Sequence, residues 1–144
     1  NIDSYFIGLW LGDGSTHKAE VTTMDKEIEK YLYQLADYYN LSMKIQHKKD
    51  NKAKTYRLIN EMRGWEKSTK THYNPILKEL YALNILHKKN IPDIIKNLSK
   101  EDRLQFLAGF IDSDGSLTKD KTYYEIYQKN EYIVDSLLFI IRSL

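Results

Sequence analysis

The chain has 144 residues, 22 Lys+Arg against 20 Asp+Glu, a net charge of +2, no cysteine and a mean hydropathy of −0.60. The length fits one domain or two small ones with a core of their own, and the absence of cysteine excludes disulfide frameworks, zinc–thiolate sites and thiol nucleophiles. No apolar run approaches the roughly 18 residues of a membrane helix, and the near-neutral total does not mark a nucleic-acid binder.

The N-terminus, Asn1-Ile2-Asp3, carries neither an initiator Met nor a signal-peptide pattern. The expectation is therefore an excised piece of an intracellular protein, nuclear in a eukaryote and cytoplasmic otherwise. Along the chain, Asp3 or Ser4 caps a helix over 4–11 that Gly12-Asp13-Gly14 ends. Ala19, Val21 and Thr23 alternate with polar residues as a short strand. Asp25 caps an amphipathic helix over 26–39, with Ile28, Leu32, Leu35 and Ala36 on one face. Alternation over 42–48 and 55–62 around Lys49-Asp50-Asn51-Lys52 reads as a hairpin. Pro75 opens a helix to about residue 83, and Ile91-Pro92 breaks the chain. Ser99 caps a helix to 112, residues 116–128 are strand-like about a turn, and Asn130 caps a last helix to 144.

Two stretches repeat. Phe6-Ile7-Gly8-Leu9-Trp10-Leu11-Gly12-Asp13-Gly14-Ser15 parallels Phe106-Leu107-Ala108-Gly109-Phe110-Ile111-Asp112-Ser113-Asp114-Gly115-Ser116, with Asp13 and Asp114 in register 101 residues apart. The caps Asp25 and Asn130 lie 105 apart, an offset that maps Leu32, Leu35 and Ala36 onto Leu137, Ile140 and Ile141. Mid-helix glycine costs about 1 kcal/mol relative to Ala, so Gly8 and Gly109 call for a reason. Two motif helices packed backbone to backbone supply it, and that packing would bring Asp13 and Asp114 together. Paired carboxylates repel unless a cation sits between them. Hard divalent ions take such oxygen ligands together with phosphates, which points to metal-assisted phosphodiester chemistry. An EF-hand counted from Asp112 would need Gly and Glu where Leu117 and Tyr123 stand, and is rejected.

Gly-Leu-Trp-Leu-Gly-Asp-Gly and Leu-Ala-Gly-Phe-Ile-Asp-Ser-Asp-Gly resemble the two signature motifs of the LAGLIDADG homing endonucleases, in particular the intein-associated branch with the fungal vacuolar-ATPase intein and the mating-type-switching endonuclease. The likeness continues through Lys89-Asn90-Ile91-Pro92 and Ile140-Ile141-Arg142-Ser143-Leu144. It implies an α+β fold with antiparallel sheets and paired motif helices at its centre. Residues 1–98 would form a complete αββαββα half and residues 99–144 a partial αββα half, the chain being C-terminally shortened. It further implies Mg²⁺ or Mn²⁺ at Asp13 and Asp114, with Gly12 and Ser113 beside them, and Lys89 assisting catalysis. Each half would lay its sheet in a DNA major groove. This sequence carries no residues for the further hairpin and lysine of the second half, and the expectation from the resemblance is a fragment or a decayed endonuclease. The intein splicing residues are also missing, and self-splicing is not expected.

Residues 42–73 hold nine bases (Lys44, Lys48, Lys49, Lys52, Lys54, Arg57, Arg63, Lys67, Lys70) against three acids, a net +6, while the remainder is −4. A basic two-stranded ribbon fits the major groove of B-DNA. Lys44, Gln46 and Lys48, or Arg57 and Asn60, are candidate base readers. The tyrosines at helix and strand positions read as core, and the four histidines show no ligand spacing. The expected function is a site-specific, metal-dependent endonuclease acting on double-stranded DNA. The alternative is a cleavage-deficient LAGLIDADG-derived DNA- or RNA-binding module, a maturase or regulator. The shortened chain alone is expected to nick slowly or not at all until a second copy or a complementing C-terminal segment completes it.

Overall fold

A computed structural model of the chain describes residues 2–13, 17–47, 49, 52–61, 65–66, 71–88, 90–117, 124–126, 128 and 130–144. The element order is α1 (Ser4–Asp13), β1 (Glu20–Thr23), α2 (Lys26–Tyr38), β2 (Ser42–His47), β3 (Lys54–Ile59), β4 (Trp65–Glu66), β5 (Thr71–His72), α3 (Pro75–Ala82), α4 (Asp93–Lys96), α5 (Lys100–Asp114), β6 (Gly115–Leu117), β7 (Tyr124–Ile126) and α6 (Glu131–Arg142). Two compact units form, one from Asn1–Thr16 with Leu83–Leu144 and one from His17–Ala82. Their limits cut across the sequence repeats at 1–98 and 99–144, because α1 leaves its own repeat to pack on α5.

In the first unit α1 is apolar all round and buried from Phe6 to Leu11, as a helix without a polar face must be. The Asp3 side chain accepts the Tyr5 N–H at 3.2 Å and so caps it. Its contact with α5 is backbone on backbone. A Cβ on Gly8 would run into the Phe106 carbonyl oxygen and stand 2.7 Å from the Phe110 nitrogen; a Cβ on Gly109 would run into the Tyr5 carbonyl oxygen and stand 3.0 Å from the Leu9 nitrogen. At the 101-residue offset these contacts are the same pair, Tyr5 and Leu9 for Phe106 and Phe110, so the repeat becomes a local pseudo-twofold axis between the helices. Four residues on, Gly12 meets Ser113 as Gly8 meets Gly109, so the helices run parallel. Both run two residues past their expected ends at 11 and 112, which makes Asp13 and Asp114 their last residues. Gly12 lies inside the final turn because its missing Cβ makes room for the Ser113 hydroxyl.

The second offset also holds. Asp25 accepts from the N–H groups of Glu27 and Ile28, and Asn130 from those of Tyr132 and Ile133. Ile28, Leu32 and Leu35 are buried on α2, and Ile133, Leu137 and Ile140 on α6. Ala36 and Ile141 part company, at 2% and 43% exposure. The strand-like stretch over 116–128 resolves into the antiparallel pair β6–β7. Neither α4 nor the two-residue pair β4–β5 follows from the sequence pattern.

In the second unit the sheet order is β1-β3-β2, antiparallel throughout. The expected β2–β3 hairpin is present, but β1 joins β3, so β3 is central and β2 is an edge. Tyr56 on β3 pairs with Val21 and Ile45, and its hydroxyl donates to Glu29 of α2, which identifies the face covered by the helix. Leu58 and Met43 share that face. Asn74 is 4% exposed and fully engaged: its amide donates to the Leu58 carbonyl at 2.9 Å and its oxygen accepts the Ile76 and Leu77 N–H groups, so it caps α3 and ties it to β3.

Gly8→Ala and Gly109→Ala are each expected to destabilise the chain by on the order of 2 kcal/mol or more, since overpacking against backbone outweighs the roughly 1 kcal/mol gained in helix propensity. Gly12→Ala should cost less, because the main obstacle is a side-chain hydroxyl that can turn. Equilibrium denaturation checks the order. A second prediction concerns Tyr56. Burial first, then the hydrogen bond to Glu29, pushes its phenol up to about 12 from 10. The folded chain therefore keeps a proton that the unfolded chain releases, and stability falls between pH 10 and 12 by on the order of 2–3 kcal/mol. Tyr56→Phe should remove that component of the fall in denaturation curves taken across this pH range.

Candidate active site and nucleic-acid face

In the first unit the parallel helices α1 and α5 close on Asp13 and Asp114, both half-buried. The C-terminal end of a helix carries partial negative charge and ordinarily attracts cationic side chains. Neither helix has a basic residue in its last turn. Two carboxylates and two dipole ends of the same sign thus lie at the glycine contact with no basic residue in either last turn. The donor set is all oxygen: two carboxylates and the last-turn carbonyls, those of Gly12 and Ser113 included. That set suits a hard divalent cation such as Mg²⁺ or Mn²⁺. Among the described residues no group of three or more His, Asp or Glu side chains could hold a metal ion. A site here would rest on the two acids, backbone carbonyls and a ligand's own oxygens.

The neighbouring polar groups are sorted by the same geometry. Asp112 is exposed and accepts from the Tyr5 hydroxyl, which separates it from the pair and leaves Asp114 as the counterpart of Asp13. The Ser113 hydroxyl donates to the Gly109 and Phe110 carbonyls, each at 3.2 Å. Sequence reasoning missed Gln128. Its Nε2 donates to Asp114 Oδ2 at 3.3 Å while its Oε1 accepts the Asn130 N–H at 3.2 Å, so the α6 cap holds an amide against the acid. A glutamine two residues before a cap is the signal that could have found it. Lys89 lies outside the described residues, as do Lys48 and Arg63.

In the second unit the strand register divides the basic hairpin. Glu20, Arg57 and Lys44 lie in one cross-strand row, and Thr22, Thr55 and Gln46 in the next, all on the face opposite Tyr56 and α2. Glu20, Lys44, Gln46, Thr55 and Arg57 line one groove together with Ile45. Lys44, Gln46 and Arg57 therefore share one face. Asn60 follows the end of β3 by one residue and lines a second cleft with His17, Lys18, Asn74 and Arg57, so Arg57 borders both. Lys54 pairs with His47 on the Tyr56 side and, with Lys52, Lys26 and Glu29, borders another cleft. Lys49 and Lys52 are exposed between β2 and β3. Arg57 Nε donates to Glu20 Oε2 at 3.0 Å, a cross-strand ion pair that the sequence alone did not reveal.

Comparison with known proteins bears on both units. The homothallic switching endonuclease of Saccharomyces cerevisiae is 30% identical over an alignment of 157 positions that takes in 98% of this chain and 27% of that protein. The chain thus spans about a quarter of the length of this curated relative. Among solved structures, I-DmoI in complex with DNA and Mn superposes with a TM-score of 0.62 at 19% identity, covering 98% of this chain and 76% of that one. I-DmoI with DNA and Ca gives 0.62 at 18%, over 97% and 70%. Mesophilic variants of the homing endonuclease I-DmoI give 0.61 at 18%, over 97% and 74%. These structures share the α+β fold. The sequence itself matches the family described as the WhiA LAGLIDADG-like domain over residues 2–63 and 103–144, on both sides of an unmatched middle and through both glycine-contact helices, and the chain belongs to that LAGLIDADG family.

Proposed function

We propose that the chain acts as the catalytic and DNA-contacting part of a site-specific endonuclease that hydrolyses phosphodiester bonds of double-stranded DNA with a divalent metal. One observation carries this reading: α1 and α5 meet through glycine backbones in register with the repeated motifs, and each ends on an aspartate, Asp13 and Asp114. The endonuclease named among its relatives and the solved relatives bound to DNA with Mn or Ca support it.

Asp13 and Asp114 would hold Mg²⁺ or Mn²⁺, helped by the carbonyls of Gly12 and Ser113. Such an ion, when bound, supplies Lewis-acid polarisation of the phosphodiester and lowers the pKa of an attacking water. Gln128 holds Asp114 Oδ2 by its amide and so limits the rotation of that carboxylate. Lys89 is assigned to stabilise charge that develops on the phosphate. Lys48, Lys49, Lys52, Lys54 and Arg63 are assigned to phosphates, Lys44, Gln46 and Arg57 to the base-facing side of the sheet, and Asn60 to the cleft beside it. A second copy of the chain or a complementing segment would supply the matching groups for the second strand.

The reading is tested on supercoiled plasmid carrying sites selected by the chain from random duplexes. Nicking with Mg²⁺ is expected to be slow for the chain alone and faster at concentrations where two copies associate, with none in EDTA. Asp13→Asn and Asp114→Asn should each lower it by 100-fold or more, on the order of a lost transition-state charge contact, while retaining the fold and duplex binding. Near-native nicking by either variant overturns the metal assignment, and duplex binding without any nicking by the native chain favours the binding-module reading. A separate prediction concerns the turn lysines. Lys49→Ala or Lys52→Ala should weaken binding equally across sequences and reduce the slope of log K against log salt by about 0.9 per contact. Binding isotherms at several salt concentrations measure it.

A further inference from the structure

The polar face of the β1-β3-β2 sheet carries an anion where a surface for DNA would be expected to carry none. Glu20 lies opposite Arg57 across β1 and β3, and Lys44 lies opposite Arg57 across β2 and β3. Arg57 Nε donates to Glu20 Oε2 at 3.0 Å, with the two side chains 26% and 20% exposed. An ion pair buried to this extent is weak evidence for stability, since desolvation offsets its attraction, and a carboxylate facing a polyanion weakens attraction to DNA of any sequence. What the pair does achieve is orientation. A guanidinium has a side edge at Nε and an outer edge at its two terminal nitrogens. With Nε held by Glu20, its plane is fixed and the outer edge is left to meet a ligand.

That outer edge matches the two acceptors, O6 and N7, that guanine presents in the major groove; adenine places a donor where O6 would be. We propose that Glu20 is a positioning residue that sets Arg57 to read a guanine at one base pair of the DNA target, and that it lowers sequence-independent affinity in doing so. The inference rests on the DNA-binding reading above. Discrimination by suppressing the wrong partner as well as favouring the right one is a general route to specificity.

Site selection from a randomised duplex pool, run with the full chain, tests this. The native chain is expected to prefer guanine at one position by on the order of tenfold or more. Glu20→Ala and Arg57→Lys should reduce that preference to about twofold at that position alone, since lysine keeps the charge but loses the fork. Glu20→Gln, which keeps an acceptor for Nε, should retain most of it. Glu20→Ala should also bind random duplex more tightly than the native chain at the same salt. A purely structural pair would move these differently: binding would fall at every position, and melting temperature with it. Unchanged guanine preference in both Glu20→Ala and Arg57→Lys, or loss spread evenly over all positions, overturns the inference and leaves DNA binding standing. Failure of the native chain to retain any duplex instead removes the DNA-binding reading, and this inference with it.

Discussion

The close approach of two parallel helix backbones at Gly8 and Gly109 is the constraint on which the acid site depends. Each glycine faces a carbonyl of the opposite helix, and the two contacts repeat at the offset that aligns the motifs. Side chains at those points would hold the helices several ångströms further apart and part their last residues. The same contact brings Asp13 and Asp114, the last residues of two parallel helices, to one end of the pair. Two carboxylates presented beside last-turn carbonyls make the oxygen donor set that a hard divalent cation takes.

The sheet of the second unit answers to a different constraint, the period of two along a strand. Tyr56 and Leu58 are buried on the helix side, and this forces Thr55 and Arg57 to the other. Register then selects their companions: Glu20 and Lys44 beside Arg57, Thr22 and Gln46 beside Thr55. The Thr22 and Thr55 hydroxyls meet at 2.8 Å, so the row next to Arg57 is tied across the strands as well. Charge in this unit is therefore distributed by register rather than by position in the sequence. Lys44 and Lys54 end up on opposite faces, and Lys49 and Lys52 are exposed between the strands.

The parts of the fold legible in the sequence are those governed by local chemistry. Asp25, Ser99 and Asn130 cap their helices because each offers a side-chain oxygen to the first-turn N–H groups. The helix pairing was legible because a glycine mid-helix weakens the helix unless a second backbone takes up the space, and two copies supply both partners of that contact. Non-local pairing was not legible. The alternation of β1 shows a strand but not that it would sit beside β3 across thirty intervening residues, and with that went the Glu20–Arg57 pair. Gln128 escaped for the same reason: its partner, Asp114, is 14 residues away and on another element. The end of α1 falls two residues beyond the expected one because Gly12 reads as a terminator, whereas the space it leaves is taken by Ser113. Asn74 looks like any polar residue before a proline until its amide is seen on the Leu58 carbonyl.

The central claim is that Asp13 and Asp114 form one cation site. Anomalous diffraction from crystals of the chain grown with Mn²⁺ and duplex DNA tests it directly. The expected result is a Mn²⁺ peak ligated by both Asp13 and Asp114 carboxylates and lost in the Asp13→Asn, Asp114→Asn double variant. A peak at other residues, or none between these acids with DNA bound, would contradict it.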